Sequence, residues 1–264
     1  FSANLKHITI ALFIAFALDT KGVASLATSS SRSAMKISTR TLPPLPSLLD
    51  QTTLVASHRF SDYSNWVVPG LIMQGRNPTS GRGSATTRIN SIVNEGGCCT
   101  FVCLQAESPP QDESCGSCGG SDDWKTNPMN FNSYRDDVIA AAASIDGEGP
   151  TPMFVHYGIR DFDVAESIES LSLFIDNLVS RVGQGERLYV HCWGGKGRAG
   201  LVSACLLSEL YGIDAEESLE RTSVYCNLRT ASMAGVMINS PETDAQKDQV
   251  RELVMFRRNR AREM

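Results

Sequence analysis

The chain has 264 residues, 42% of them hydrophobic and 20% charged, with a formal net charge of −5. That is enough apolar material for one sizeable core, and it shows no collagenous or low-complexity bias. The mildly acidic balance gives a nucleic-acid backbone no electrostatic footing, so nucleic-acid binding is excluded as a first reading.

The earliest elements read as an address. Lys6 and His7 precede an apolar run from Ile8 to Leu18, which suits a secretory signal core and is too short to span a bilayer. Small residues at Ala15-Phe16-Ala17 offer a cleavage site, and positions 20–49 hold no Asp or Glu while Ser, Thr, Lys21, Arg32, Lys36 and Arg40 recur. Residues 1–19 are therefore expected to be signal-peptide-like. Residues 20–53 read as a transit-peptide-like stretch and Pro-rich linker, and residues 54–264 as one catalytic domain. The pair of signals resembles the bipartite address of proteins sent to complex algal plastids. A secreted or endomembrane destination, an uncleaved anchor and a cytoplasmic location are the alternatives. No stable membrane span is expected once the leader is removed.

Residues 66–75 read as an early strand and 86–94 carry helical spacing. The unbroken run Thr100-Phe101-Val102-Cys103-Leu104-Gln105 predicts a buried strand. A Ser-, Pro- and Gly-rich loop follows to about residue 130, then a helix over 134–145. The stretch Phe154-Val155-His156-Tyr157-Gly158-Ile159 is a strand running into the polar turn Arg160-Asp161-Phe162-Asp163. In 165–182, Ile168, Leu171, Phe174, Ile175 and Leu178 make one apolar stripe. Alternating strands and helices predict an α/β fold: a central, largely parallel sheet flanked by helices.

The segment His191-Cys192-Trp193-Gly194-Gly195-Lys196-Gly197-Arg198-Ala199-Gly200 lies between the apolar runs 187–190 and 201–207, which predicts strand, glycine-rich loop, helix. Gly194, Gly195 and Gly197 let the backbone curl with its N–H groups inward, and the helix adds its positive end at the same point. A cysteine there is favoured as thiolate and so as a nucleophile. Arg198 supplies a planar fork for two phosphate oxygens. A purely structural glycine turn around a buried cysteine is the competing reading. A nucleotide-binding loop would need Ser or Thr after Lys196, where Gly197 stands.

His191-Cys192 followed by five residues and Arg198 resembles the signature loop of the cysteine-dependent protein tyrosine and dual-specificity phosphatases. Within that superfamily the chain is similar to the cyclin-dependent-kinase-inhibitor-3-like and atypical dual-specificity branch. The resemblance spans roughly residues 67–255 and implies a phosphatase fold with the loop between a central strand and the next helix. It implies hydrolysis of phosphomonoesters on Tyr and/or Ser/Thr of a phosphorylated protein through a phosphocysteine, with no metal and no cofactor. Cys192 becomes the nucleophile; Trp193, Gly194, Gly195, Lys196, Gly197 and Arg198 hold the phosphoryl group; His191 orders the loop through a hydrogen bond or is a buried strand-end histidine with no catalytic part. The turn at 160–163 is similar to the family's acid loop, which makes Asp161 the general acid and Asp163 the fallback, or a cap for a helix starting near Val164.

Two departures concern the second half-reaction. Ser240-Pro241-Glu242-Thr243-Asp244-Ala245-Gln246 is similar to the family's Gln-Thr-x-x-Gln water-holding pattern, with Glu242 first and Gln246 second, although an ordinary capped helix over 242–257 would also read this way. Ala199 stands where the family commonly has a hydroxyl that helps the thiolate leave. Both point to slowed phosphocysteine breakdown, and a weakly active phosphate-binding pseudophosphatase is one alternative. Lys196 opens another, a phosphoinositide or phospho-carbohydrate phosphatase, although Trp193 replaces the first basic residue of the lipid pattern. Among the other cysteines, Cys205 and Cys226 read as structural and Cys103 as a core residue or a second thiol beside the nucleophile. Cys98, Cys99, Cys115 and Cys118 are free thiols, a loop disulfide or zinc ligands.

Overall fold

A computed structural model of the protein describes residues 41–81, 83–109, 117–126, 132–144, 151–229 and 237–263. The signal-peptide-like segment expected over residues 1–19 and the part of the transit-peptide-like stretch up to residue 40 lie outside the described residues. Among the described residues, six strands form one sheet: β1 Ser64–Val68, β2 Ile72–Arg76, β3 Thr100–Gln105, β4 Ser117–Gly120, β5 Met153–Ile159 and β6 Leu188–Cys192. Their order is β1-β2-β6-β3-β5-β4. Only the β1–β2 pair is antiparallel; every other neighbour is parallel. The expected α/β architecture with a largely parallel, helix-flanked sheet is therefore the one observed.

The single strand expected over 66–75 is in fact a hairpin. Pro69 and Gly70 turn the chain, with Gly70 at φ +71°, a conformation that costs glycine nothing and other residues more. The expected helices are present with shifted ends. α1 Gln51–His58 adds to them where no helix was expected, and those foreseen begin with α2 Ala85–Asn90, which runs into a π-turn at Ser91–Glu95, and α3 Arg135–Ala143. After them come α4 Ile168–Gly183, α5 Gly197–Tyr211, α6 Ala215–Asn227 and α7 Asp244–Glu263. α4 starts at Ile168 because Ser167 caps it, accepting from the Ser170 amide. Asp163 therefore caps no helix. β4 lies inside the segment expected to be loop.

Strand alternation decides which side chains reach which face. Val102 and Leu104 of β3, Val155, Tyr157 and Ile159 of β5, and Leu188, Val190 and Cys192 of β6 share one core with Leu171, Phe174, Leu201 and Leu253 of the helices. Phe101, Phe154 and Tyr189 point the other way and pack with Ile89, Tyr134 and Val138. The sheet is buried on both sides, which explains its near-continuous apolar strands. Leu42, Leu45 and Leu48 pack on the first core, and the Pro43 carbonyl accepts from the Tyr211 hydroxyl. The packed region thus reaches into the stretch read as linker. No helix among the described residues is long and apolar enough to cross a membrane.

Candidate active site

Cys192 ends β6 and α5 begins at Gly197, so the loop between them sits at the carboxyl end of a central parallel strand, where open α/β sheets gather their ligands. The loop is strapped from outside by its carbonyls. Trp193 O accepts from the Asn77 amide at 3.1 Å, Gly195 O from the buried Gln74 Nε2 at 2.9 Å, and Lys196 O from Ser240 Oγ at 2.8 Å. Gly195 holds φ +71°, and a Cβ there would come within 2.2 Å of the Gly75 carbonyl carbon. Only glycine fits.

Arg198 is 1% exposed and is held at four points. Nη1 and Nη2 donate to the Glu107 carboxylate at 2.7 and 3.0 Å, Nη1 also reaches Ile159 O at 2.9 Å, and Nη2 pairs with Asp161 at 2.8 Å. Burial alone would lower the guanidinium pKa, but the Cys192 sulfur and the Glu107 carboxylate outweigh it and raise it. The structure therefore places Arg198 beside both Asp161 and the Cys192 sulfur. Glu107 was not foreseen. It follows β3 in a polar loop, and only the 91-residue separation closed by the fold reveals it. Glu107 is itself fixed: Gln105 Nε2 donates to it at 3.1 Å and Asn77 Nδ2 to Gln105 Oε1 at 2.8 Å.

The acid turn bends at Phe162, the non-glycine residue with φ +60°. Asp161 Oδ1 also accepts from the Phe162 amide, while Asp163 Oδ1 accepts from the adjacent Val164 amide at 2.9 Å. α7 clamps this turn through two buried glutamines. Gln246 Nε2 donates to Asp163 O at 3.0 Å, and its Oε1 accepts from the Glu242 and Thr243 amides. Gln249, three residues on and also unforeseen, both accepts from and donates to the Ala165 backbone. Glu242 pairs with Lys196 at 2.6 Å.

His191 points to the opposite face of the sheet, where its Nε2 lies 2.7 Å from the Tyr134 hydroxyl. Burial pushes its pKa down to about 3, so it is neutral. Trp193 is half exposed and Ala199 fully buried. Cys103 pairs in register with His191, and burial raises its thiol to about 12. Cys98 and Cys99 are free, buried thiols; the side chains of Cys115 and Cys118 lie outside the described residues. No group of three or more metal-binding side chains occurs among the described residues.

The family described as "PTP-SAK: Swiss Army Knife protein, DSP-PTPase phosphatase domain" matches residues 148–250. Among curated relatives, "Putative tyrosine phosphatase 067L" of Invertebrate iridescent virus 3 is 36% identical over 81 residues, 30% of this chain and 34% of the relative. "Protein tyrosine phosphatase domain-containing protein 1" of Danio rerio is 24% identical over 159 residues, 60% of this chain and 19% of the relative. The matches thus span about a third or less of these relatives' lengths. The crystal structure of Tk-PTP in the active form covers 73% of this chain and 97% of its own at 19% identity, with a TM-score of 0.46.

Proposed function

Because this chain belongs to the dual-specificity and protein tyrosine phosphatase superfamily, through the domain at residues 148–250, we propose that it hydrolyses phosphomonoesters through a phosphocysteine on Cys192. One observation carries the reading: the buried Arg198 fork beside Cys192, preset by Glu107 at the mouth of a strapped glycine loop. Phosphate charge held by such a fork and by loop amides is stabilised without reorganisation at the moment of reaction.

In the first step the Cys192 sulfur attacks phosphorus and the ester P–O bond breaks. Asp161 gives its proton to the departing oxygen. Its pair with Arg198 opens as the phosphoryl group takes the guanidinium. In the second step water attacks phosphorus, the S–P bond breaks, and the proton passes to Asp161. Phosphorylated Tyr and/or Ser/Thr of a protein is the proposed substrate.

A second reading, a slow phosphate-binding module, draws support from Ala199, buried and without a hydroxyl, and from Glu242, whose carboxylate is paired with Lys196. Hydrolysis of a small aryl phosphate, with a phosphoryl adduct on Cys192 caught by rapid acid quench and mass spectrometry, supports the enzymatic reading. Equal hydrolysis by Cys192→Ser overturns it.

A further inference from the structure

Lys196 is the one lysine of the signature loop, and its charge does not stand open to a ligand. Its Nζ lies 2.6 Å from Glu242 Oε1, with the two side chains 40% and 29% exposed. The backbone at Glu242 is anchored, since its amide donates to the buried Gln246 Oε1 at 3.0 Å. A Cβ at Gly197 would sit 3.4 Å from the Glu242 Cβ and 3.2 Å from the Gln246 amide, so the base of the Glu242 side chain lies against the loop's own backbone. The same Gln246 holds the acid turn through Asp163 O. Around the mouth, the two cations Arg198 and Lys196 are thus in direct contact with three carboxylates, Glu107, Asp161 and Glu242. The scissile phosphate can displace Asp161 from Arg198. A second phosphate beside it finds Lys196 already neutralised and Glu242 facing it.

We infer that Glu242 is a selectivity residue: by pairing with Lys196 it restricts the site to substrates with a single phosphate and no second anionic group beside it. The inference rests on the phosphatase reading for the substrate's chemistry, though not on turnover. It also gives the acid at position 242 a task that does not involve the hydrolytic water. Like charges at contact distance in a half-exposed site repel by an amount worth roughly a tenfold change in binding.

The test uses the full chain in a Cys192→Ser background, so that nothing turns over. Two probes are titrated calorimetrically: phenyl phosphate, and a soluble inositol carrying two vicinal phosphates. The parent protein is expected to favour phenyl phosphate. Adding Glu242→Gln should raise the bisphosphate-to-monophosphate affinity ratio by about tenfold, and adding Lys196→Met as well should return the ratio to within about twofold of the parent, since the freed lysine carries the gain. Thermal melting confirms that each variant is folded. An unchanged ratio in Glu242→Gln, or a gain that survives the loss of Lys196, overturns the proposal, as does a parent protein that already prefers the bisphosphate. Failure of the wild type to hydrolyse phenyl phosphate would count against the phosphatase reading alone, because the affinity ratio is read without catalysis.

Discussion

Arg198 and Glu107 meet as two forks, with η nitrogens 2.7 and 3.0 Å from the carboxylate oxygens. Glu107 belongs to a polar chain from Asn77 through Gln105, and the Asn77 amide also straps the signature loop at Trp193 O. One short network therefore sets both the cation and the backbone that would share a phosphoryl group. A guanidinium this deeply buried is stable only while paired, so the carboxylate is as much a structural requirement as a functional one.

Glu107→Gln keeps the shape of the fork and removes its charge. It should lower kcat/KM for an aryl phosphate by about thirtyfold to a hundredfold, matching the roughly 2–3 kcal/mol of a buried charge-assisted pair. Urea unfolding should show a stability loss of the same order. Activity within twofold of wild type would mean that Glu107 does not preset Arg198.

The acid turn distinguishes its two aspartates by what they touch. Asp161 reaches Arg198 and Asp163 caps the next amide. Asp161→Asn should cost about two to four orders of magnitude in turnover of an alkyl phosphate, and much less with p-nitrophenyl phosphate, whose leaving group departs without a proton. Asp163→Asn should stay within about threefold on both substrates. If Asp163→Asn shows the leaving-group dependence instead, the acid assignment moves to it.

His58 is buried against Tyr225, its ring 3.7 Å from the tyrosine ring, and burial lowers its pKa from 6.5 to about 4. A depressed histidine is neutral when folded and takes a proton more readily when unfolded. Its contribution is therefore complete above pH 6.5 and is lost as pH falls toward 4. Between pH 7 and 5 this amounts to about 2 kcal/mol. The loss in unfolding free energy over that interval should shrink by about that much in His58→Phe, whatever the variant's stability at pH 7. A pH dependence identical to wild type would show that His58 is not desolvated.

Local signals made much of this legible. The run into Cys192, the glycines after it and the stripe on α4 each lie within one element, so their periodicity and spacing suffice. Glu107, Gln105 and Asn77 carry no such signal, because their partners are brought together by the parallel β2–β6 and β3–β6 pairings. The β1–β2 hairpin was hidden by hydrophobic residues on both sides of Pro69-Gly70, where turn chemistry outweighs the apolar run. β4 is a short edge strand of Ser, Cys and Gly, a composition that reads as loop. Glu242 was read for its place in a pattern, and only the geometry shows its lysine partner.

Ala199 bears on the last step of turnover. It lies in the first turn of α5, fully buried, directly after Arg198. A thiolate leaving phosphorus carries growing negative charge, and a hydroxyl in that first turn would meet it with a hydrogen bond made chiefly in the transition state. Ala199→Ser should therefore speed phosphocysteine breakdown by about tenfold, the value of one such bond. Attack by Cys192 should be little changed. Burying the extra hydroxyl should cost roughly 1 kcal/mol of stability. Stopped-flow release of p-nitrophenol checks this directly: wild type should show a burst near one equivalent followed by a slow steady state. Ala199→Ser should show a smaller burst and a faster steady state. If wild type shows no burst, breakdown does not limit its turnover and the missing hydroxyl is not what slows the enzyme.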